Sequence, residues 1–425
     1  MNRATPQSWT AALFVLLVGL AAPARAQAPT DVRIDISSGG RRIRIHCESL
    51  TPAGDKNPRV PSVQADELMA NDLDNSAVFT VSRGWVQGQQ PFDVEGVVGG
   101  RWEVKGGRVT LTGEVGDFPA RRSIFKREYK GSTDEWRALV HHFADDVVQQ
   151  FTGEAGVAST RIAFVGKQGR DKELYVMDSD GANLRALTAD HSIVVSPAWA
   201  PDASLLLFTS YRSGMGPQIY VTPAAGGRLY LVSGRPGLNT CPSYSPDGRE
   251  IVCSLSQDGN TEVYVTDARG GEPRRLTDNR GIDTSPAWSP TGREIAFTSD
   301  RSGTPQVYVM DREGGNVRRL TYEISYTDSP AWSPRGDRIA LVSRTGGGFD
   351  IWLVNADGSQ PRLVVTGGNN ENPRWSPDGR QLVFSSDREG NRGLYVSDLS
   401  DRQPRRLDTG GLAAFSPAWS PRVGR

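Results

Sequence analysis

The chain has 425 residues with 49 Lys+Arg and 49 Asp+Glu, so its formal charge is zero and no broad basic face recommends nucleic acid as a partner. At about 150 residues per domain the length calls for more than one unit, and for two if one of them is a large all-β domain. Gly (47) and Pro (27) are plentiful, which predicts many short strands joined by tight turns.

The N-terminal residues read as an export signal over 1–26. Asn2-Arg3 gives a basic start, Ala11 to Ala22 is apolar, and Ala24-Arg25-Ala26 has the small-x-small form of a cleavage site. A membrane anchor is the competing reading, but a run of about a dozen apolar residues is short of the roughly 20 that span a bilayer. No second apolar run follows, so the mature protein is expected to be exported and not membrane-embedded, and it is expected to be a monomer. Residues 27–157 then read as a small α/β domain. Asp31 to Ile36 and Arg42 to His46 alternate like strands, and Gln64 to Asn75 sets Leu68, Met69 and Leu73 on one side of a helix. Arg101 to Thr112 reads as a hairpin turning at Gly106-Gly107. Ser132-Thr-Asp-Glu135 has the form of a capping box. It opens a helix whose Trp136, Leu139, Val140, Phe143, Val147 and Phe151 keep helical spacing until Gly153.

From residue 158 onward a different pattern takes over. Ser196-Pro-Ala-Trp-Ala-Pro recurs as Cys241-Pro-Ser-Tyr-Ser-Pro, Ser285-Pro-Ala-Trp-Ser-Pro, Ser329-Pro-Ala-Trp-Ser-Pro, Asn372-Pro-Arg-Trp-Ser-Pro and Ser416-Pro-Ala-Trp-Ser-Pro. The aromatic positions Trp199, Tyr244, Trp288, Trp332, Trp375 and Trp419 are separated by 45, 44, 44, 43 and 44 residues. Each unit continues through a Pro-Asp-Gly type turn, two further β-branched runs and a short last strand such as Val317 to Thr321. Four strands in about 40 to 45 residues is one propeller blade. The first unit, Arg161 to Thr188, lacks the Pro-Trp strand, and Phe415 to Pro421 is that strand alone. The expected fold is therefore a small α/β domain followed by a six-bladed β-propeller over 158–425, closed by its C-terminal strand. The repeated Trp reads as blade-to-blade packing.

Catalytic and metal chemistry find no constellation in the sequence. There is no Gly-x-Ser-x-Gly nucleophile elbow. The histidines His46, His141, His142 and His191 have no metal-ligand spacing. Asp178-Ser-Asp180-Gly181 begins like a calcium loop but lacks the closing carboxylate, so turn chemistry is the better reading. Neither metal nor cofactor is expected. The three cysteines exclude a disulfide framework. Repeat alignment places Cys241 and Cys253 on the first two strands of one blade, where either a cross-hairpin disulfide or two buried thiols would fit.

Asp31-Val-Arg-Ile-Asp-Ile36, Ala65-Asp-Glu-Leu-Met-Ala-Asn-Asp-Leu73, His141-His-Phe-Ala-Asp145, Thr152-Gly-Glu-Ala-Gly156 and Ser159-Thr-Arg-Ile-Ala-Phe164, followed by Trp-Ser-Pro-Asp-Gly repeats, together resemble the TolB family of the Tol-Pal envelope system. The resemblance covers nearly the whole mature chain and is thinnest over Arg42 to Leu50 and Phe92 to Arg127. It implies a periplasmic, non-enzymatic linker between the inner-membrane Tol complex and the outer-membrane lipoprotein Pal, serving outer-membrane integrity and cell division. A TolA-like inner-membrane protein would engage Asp31, Val32, Arg33, Ile34, Asp35 and Ile36, where an ordinary edge strand is the alternative. A Pal-like lipoprotein would engage loops at one mouth of the propeller. There the residues just before each Pro are expected to face the channel: Leu238, Asn239, Asp283, Thr284, Tyr326, Asp328, Asn370 and Glu371. Two other readings remain at this stage, an exported propeller that binds another protein or a small glycan, and a non-catalytic relative of the prolyl oligopeptidase-type propellers.

Overall fold

The computed structural model describes residues 41–52, 62–84, 93–400 and 402–422. The small domain begins with β1 (Ile43–Pro52), α1 (Ser62–Asn75) and β2 (Phe79–Ser82), where α1 carries the chain over so that β2 lies parallel to β1. β3 (Gly96–Lys105) is also parallel to β1, and β4 (Arg108–Asp117) and β5 (Ser123–Ser132) complete a sheet in the order β2-β1-β3-β4-β5. The β3–β4 turn falls on Gly106 and Gly107, at φ 56° and 78°. Two successive positive φ values are what a tight two-residue hairpin demands and what glycine accepts without strain.

α2 (Trp136–Thr152) follows the Ser132–Glu135 capping box, in which the Ser132 N–H donates to Glu135 Oε2 at 2.7 Å. It stops at Gly153, whose φ of 78° turns the chain left-handed. Leu68, Met69 and Leu73 of α1 and Val140, Phe143 and Val147 of α2 form one buried core with Ile45, Trp102 and Leu111 of the sheet. No helix among the described residues is long and apolar enough to cross a membrane.

The rest of the chain forms six four-stranded antiparallel sheets. The inner strands are Val194–Trp199, Asn239–Tyr244, Asp283–Trp288, Thr327–Trp332, Glu371–Trp375 and Ala413–Trp419. The last of these pairs with Arg161–Gln168, so the C-terminal strand completes the first blade as the repeat predicts. Trp199 Nε1 donates to Ala418 O at 2.9 Å and Trp375 Nε1 to Ala331 O at 3.0 Å, tying these two inner strands to their neighbours. The outer strand expected over Val317 to Thr321 is trimmed to Arg318–Arg319.

Every inner strand carries a bulge at its Pro. Ser196, Cys241, Ser285, Ser329, Asn372 and Ser416 adopt φ between 44° and 54°, and the ladder slips around them. Cys241 and Cys253 are both free, as is Cys47. Pairing runs from Thr240↔Ser254 to Ser243↔Val252, so the bulge sets two residues, Cys241 and Pro242, against Cys253 alone. Cys253 enters the core with Leu207, Ile219 and Ile251, and Cys241 turns into the channel wall.

Candidate functional site

The inner strands enclose a cavity of about 390 Å³ walled by Ser196, Cys241, Ser285, Ser329, Asn372 and Arg374. The wall is tight at the bulges, where Cys241 Sγ lies 3.8 Å from Ser196 Oγ and 3.9 Å from Thr284 Oγ1. Arg374 donates to Pro373 O at 2.9 Å, and its burial lowers the guanidinium pKa from the ordinary value.

The mouth at the start of the inner strands is where the predicted binding residues fall, and the bulges divide them into two sets. Asn239, Asp283 and Asn370 are fully buried and do not face the channel. Strand alternation turns their side chains into the blade, where each braces its own loop. Asn239 Oδ1 accepts from Ser233 Oγ at 2.7 Å and from the Arg235 N–H at 2.9 Å. Asp283 Oδ2 accepts from Arg301 at 2.6 Å and from Asn279 Nδ2 at 2.8 Å. Asn370 Oδ1 accepts from Arg388 at 2.7 Å.

Thr284 and Glu371 follow Asp283 and Asn370 by one residue, Asp328 follows the buried Thr327 in the same register, and all three are half-buried. Asp328 accepts from Thr298 Oγ1 at 2.9 Å, and Glu371 accepts from Arg392 Nη2 at 3.1 Å. Tyr326 is half-buried, with its ring centroid 6.1 Å from that of Phe349.

Three residues before each bulge, consecutive blades present Ile193, Leu238 and Ile282, exposed by 43%, 42% and 53%. Tyr326 occupies the same register one blade further on. Tyr211, 41% exposed, joins this edge because its N–H donates to Ile193 O, and Met215 in the adjoining turn is 84% exposed. Ile193 and Ile282 were not singled out from the sequence. Their signal is an apolar residue at a fixed offset in otherwise polar loops, and it shows only once burial separates them from the bracing position. Exposed aliphatic and aromatic side chains repeated around one rim are unusual unless something covers them.

A family model described as the TolB beta propeller domain matches residues 148–423. The chain belongs to the TolB family. The Tol-Pal system protein TolB of Desulfosudis oleivorans is 38% identical over 168 residues, covering 40% of this chain and 38% of that protein. The protein of the same name from Desulfotalea psychrophila is 28% identical over 244 residues, covering 55% and 56%. The chain thus spans between about two fifths and just over half of the length of these curated relatives. The crystal structure of TolB from Acinetobacter baumannii matches with a TM-score of 0.79 at 25% identity, over 90% of this chain and 98% of that one.

In this TolB-family chain the other predicted binding segment, Asp31, Val32, Arg33, Ile34, Asp35 and Ile36, lies outside the described residues, as does the export signal at 1–26. The junction between the small domain and the propeller is described. Asp145 of α2 accepts from the Ala158 and Ser159 N–H groups at 2.7 and 3.1 Å, fastening the link into the first blade. Burial pushes the Asp145 carboxyl up to about 6, against the lowering effect of those bonds. Nearby, His141 Nδ1 lies 2.7 Å from Asp72 Oδ2, with both side chains buried.

Proposed function

We propose that this chain is a non-enzymatic, monomeric, protein-binding component of a Tol-Pal-like envelope system. It acts in the periplasm, linking an inner-membrane Tol complex to an outer-membrane lipoprotein and so serving outer-membrane integrity and cell division. The observation that carries this reading is the apolar rim of Ile193, Leu238 and Ile282 on a closed ring, in a chain of the TolB family. A rigid ring holds such loops in place at little entropic cost, which suits recognition of another folded protein. Relatives named as Tol-Pal system proteins support the choice of system.

In this reading the rim binds a Pal-like lipoprotein. Leu238, Thr284, Tyr326, Asp328 and Glu371 make contact together with Ile193 and Ile282, and Asn239, Asp283 and Asn370 act by holding the loops. The segment from Asp31 to Ile36 takes a TolA-like partner, adding its alternating residues to that partner's sheet or groove. An affinity pulldown from envelope extract tests this, using the full mature chain and a variant lacking residues 27–36. The full chain should retain both a Pal-like lipoprotein and a TolA-like protein, and the deletion should lose only the latter. Loss of both would make the segment structural, and recovery of neither would contradict the assignment.

A further inference from the structure

The Asp178-Ser-Asp180-Gly181 turn of the first blade meets the small domain. Two of its carboxylates serve the turn itself: Asp180 Oδ1 accepts from the Ala182 N–H at 3.0 Å and Asp178 Oδ2 from Asn183 Nδ2 at 2.6 Å. Facing them is His141 of α2, only 3% exposed. Its Nδ1 is held by Asp72 and its Nε2 is buried with no hydrogen-bond partner. The ligand atoms of His141, Asp178 and Asp180 lie within 4.8 Å of one another, the only such His/Cys/Asp/Glu group among the described residues. We propose that His141, Asp178 and Asp180 form a site for a first-row divalent cation, zinc above all, that joins the small domain to the first blade.

The surroundings are those of a metal-binding histidine. A carboxylate on Nδ1 fixes the tautomer and aims the Nε2 lone pair, the arrangement that orients imidazole ligands in metal sites. One imidazole nitrogen with two carboxylates suits Zn²⁺ better than Ca²⁺ or Mg²⁺, which favour all-oxygen shells. Each carboxylate oxygen has two lone pairs, so Asp178 and Asp180 can keep their turn bonds and still ligate. Arg137 pairs with Asp180, and half-buried Arg405 lines the adjoining cavity together with Asp72 and Asp180. That cavity is about 30 Å³, room for one water beside Asp180. None of this depends on which protein the propeller binds.

Calorimetric titration of Zn²⁺ into the untagged, chelator-treated chain tests the site. The expected result is one Zn²⁺ per chain, weakened at least tenfold by Asp178→Asn, abolished by His141→Gln, and unchanged by His191→Gln, an exposed histidine elsewhere. X-ray absorption at the zinc edge should show one imidazole nitrogen and oxygen neighbours at about 2.0 to 2.2 Å. Because His141→Gln could unfold the junction, Asp178→Asn decides the matter in protein whose circular dichroism is native. Absence of saturable uptake, or uptake that Asp178→Asn leaves intact, overturns the proposal.

Discussion

Cys241 stands where the other blades have Ser196, Ser285, Ser329, Asn372 and Ser416, at the left-handed bulge facing the channel. Cys253 and Cys47 are buried, and burial pushes each thiol up to about 12. A thiol held far above neutral pH is a poor nucleophile. A maleimide reagent should therefore add once to the native chain, at Cys241, and three times after denaturation. Intact-mass spectrometry checks this, and a native adduct on Cys253 would contradict the packing.

Neighbouring residues at the rim also separate by role. Asp283→Ala leaves the Arg301 guanidinium without its buried partner and should cost about 2 to 4 kcal/mol of stability. Thr284→Ala removes one half-buried hydroxyl and should lower stability by less than about 1 kcal/mol. Urea unfolding of the two variants measures the difference. The sequence alone put both residues in the channel. It could not do better, because the bulge before each Pro changes which residue of a strand faces inward, and a bulge is a backbone event that residue identities only hint at.

At the scale of elements, the link between α2 and the first blade depends on a close approach. Asp145 reaches over Gly156 to the Ala158 and Ser159 amides, and a Cβ on Gly156 would lie 2.5 Å from Asp145 Oδ1. Gly156→Ala must push Asp145 off its amides and should destabilise the protein by about 1 to 3 kcal/mol. Asp145→Ala should do at least as much, and thermal melts of both variants are the check.

The helices and the β3–β4 hairpin were legible in the sequence because capping boxes, paired glycines and apolar spacing are local signals. The parallel pairing of β1 with β2 and β3 was not, since it depends on where α1 returns the chain. The meeting of His141 with Asp178 and Asp180 was equally out of reach. Those residues lie on a helix and a turn 37 positions apart, in two different domains, and no spacing rule connects them.

On the scale of the whole molecule the propeller was the most legible part. One motif repeated at nearly constant spacing makes the same local demand six times, and only a closed ring satisfies all of them. Closure rests on Ala413–Trp419 beside Arg161–Gln168, reinforced by Trp419 Nε1 donating to Thr160 Oγ1 at 2.8 Å and the Ser420 N–H donating to Arg161 O at 2.8 Å. Removing residues 413–425 bares the edge of the first blade and the sides of two sheets. Such a truncation should lower the melting temperature by roughly 10 °C or more and expose apolar surface to a dye such as ANS.

The central claim is that the rim of this ring is a docking face for a Pal-like lipoprotein. It is tested most directly by calorimetry with the purified ectodomain of that lipoprotein from the same organism. The account predicts one-to-one binding that Leu238→Glu with Ile282→Glu weakens at least a hundredfold, with the melting temperature unchanged, because both side chains are exposed. Absence of binding by the unaltered chain, or binding that the double variant leaves intact, would contradict it.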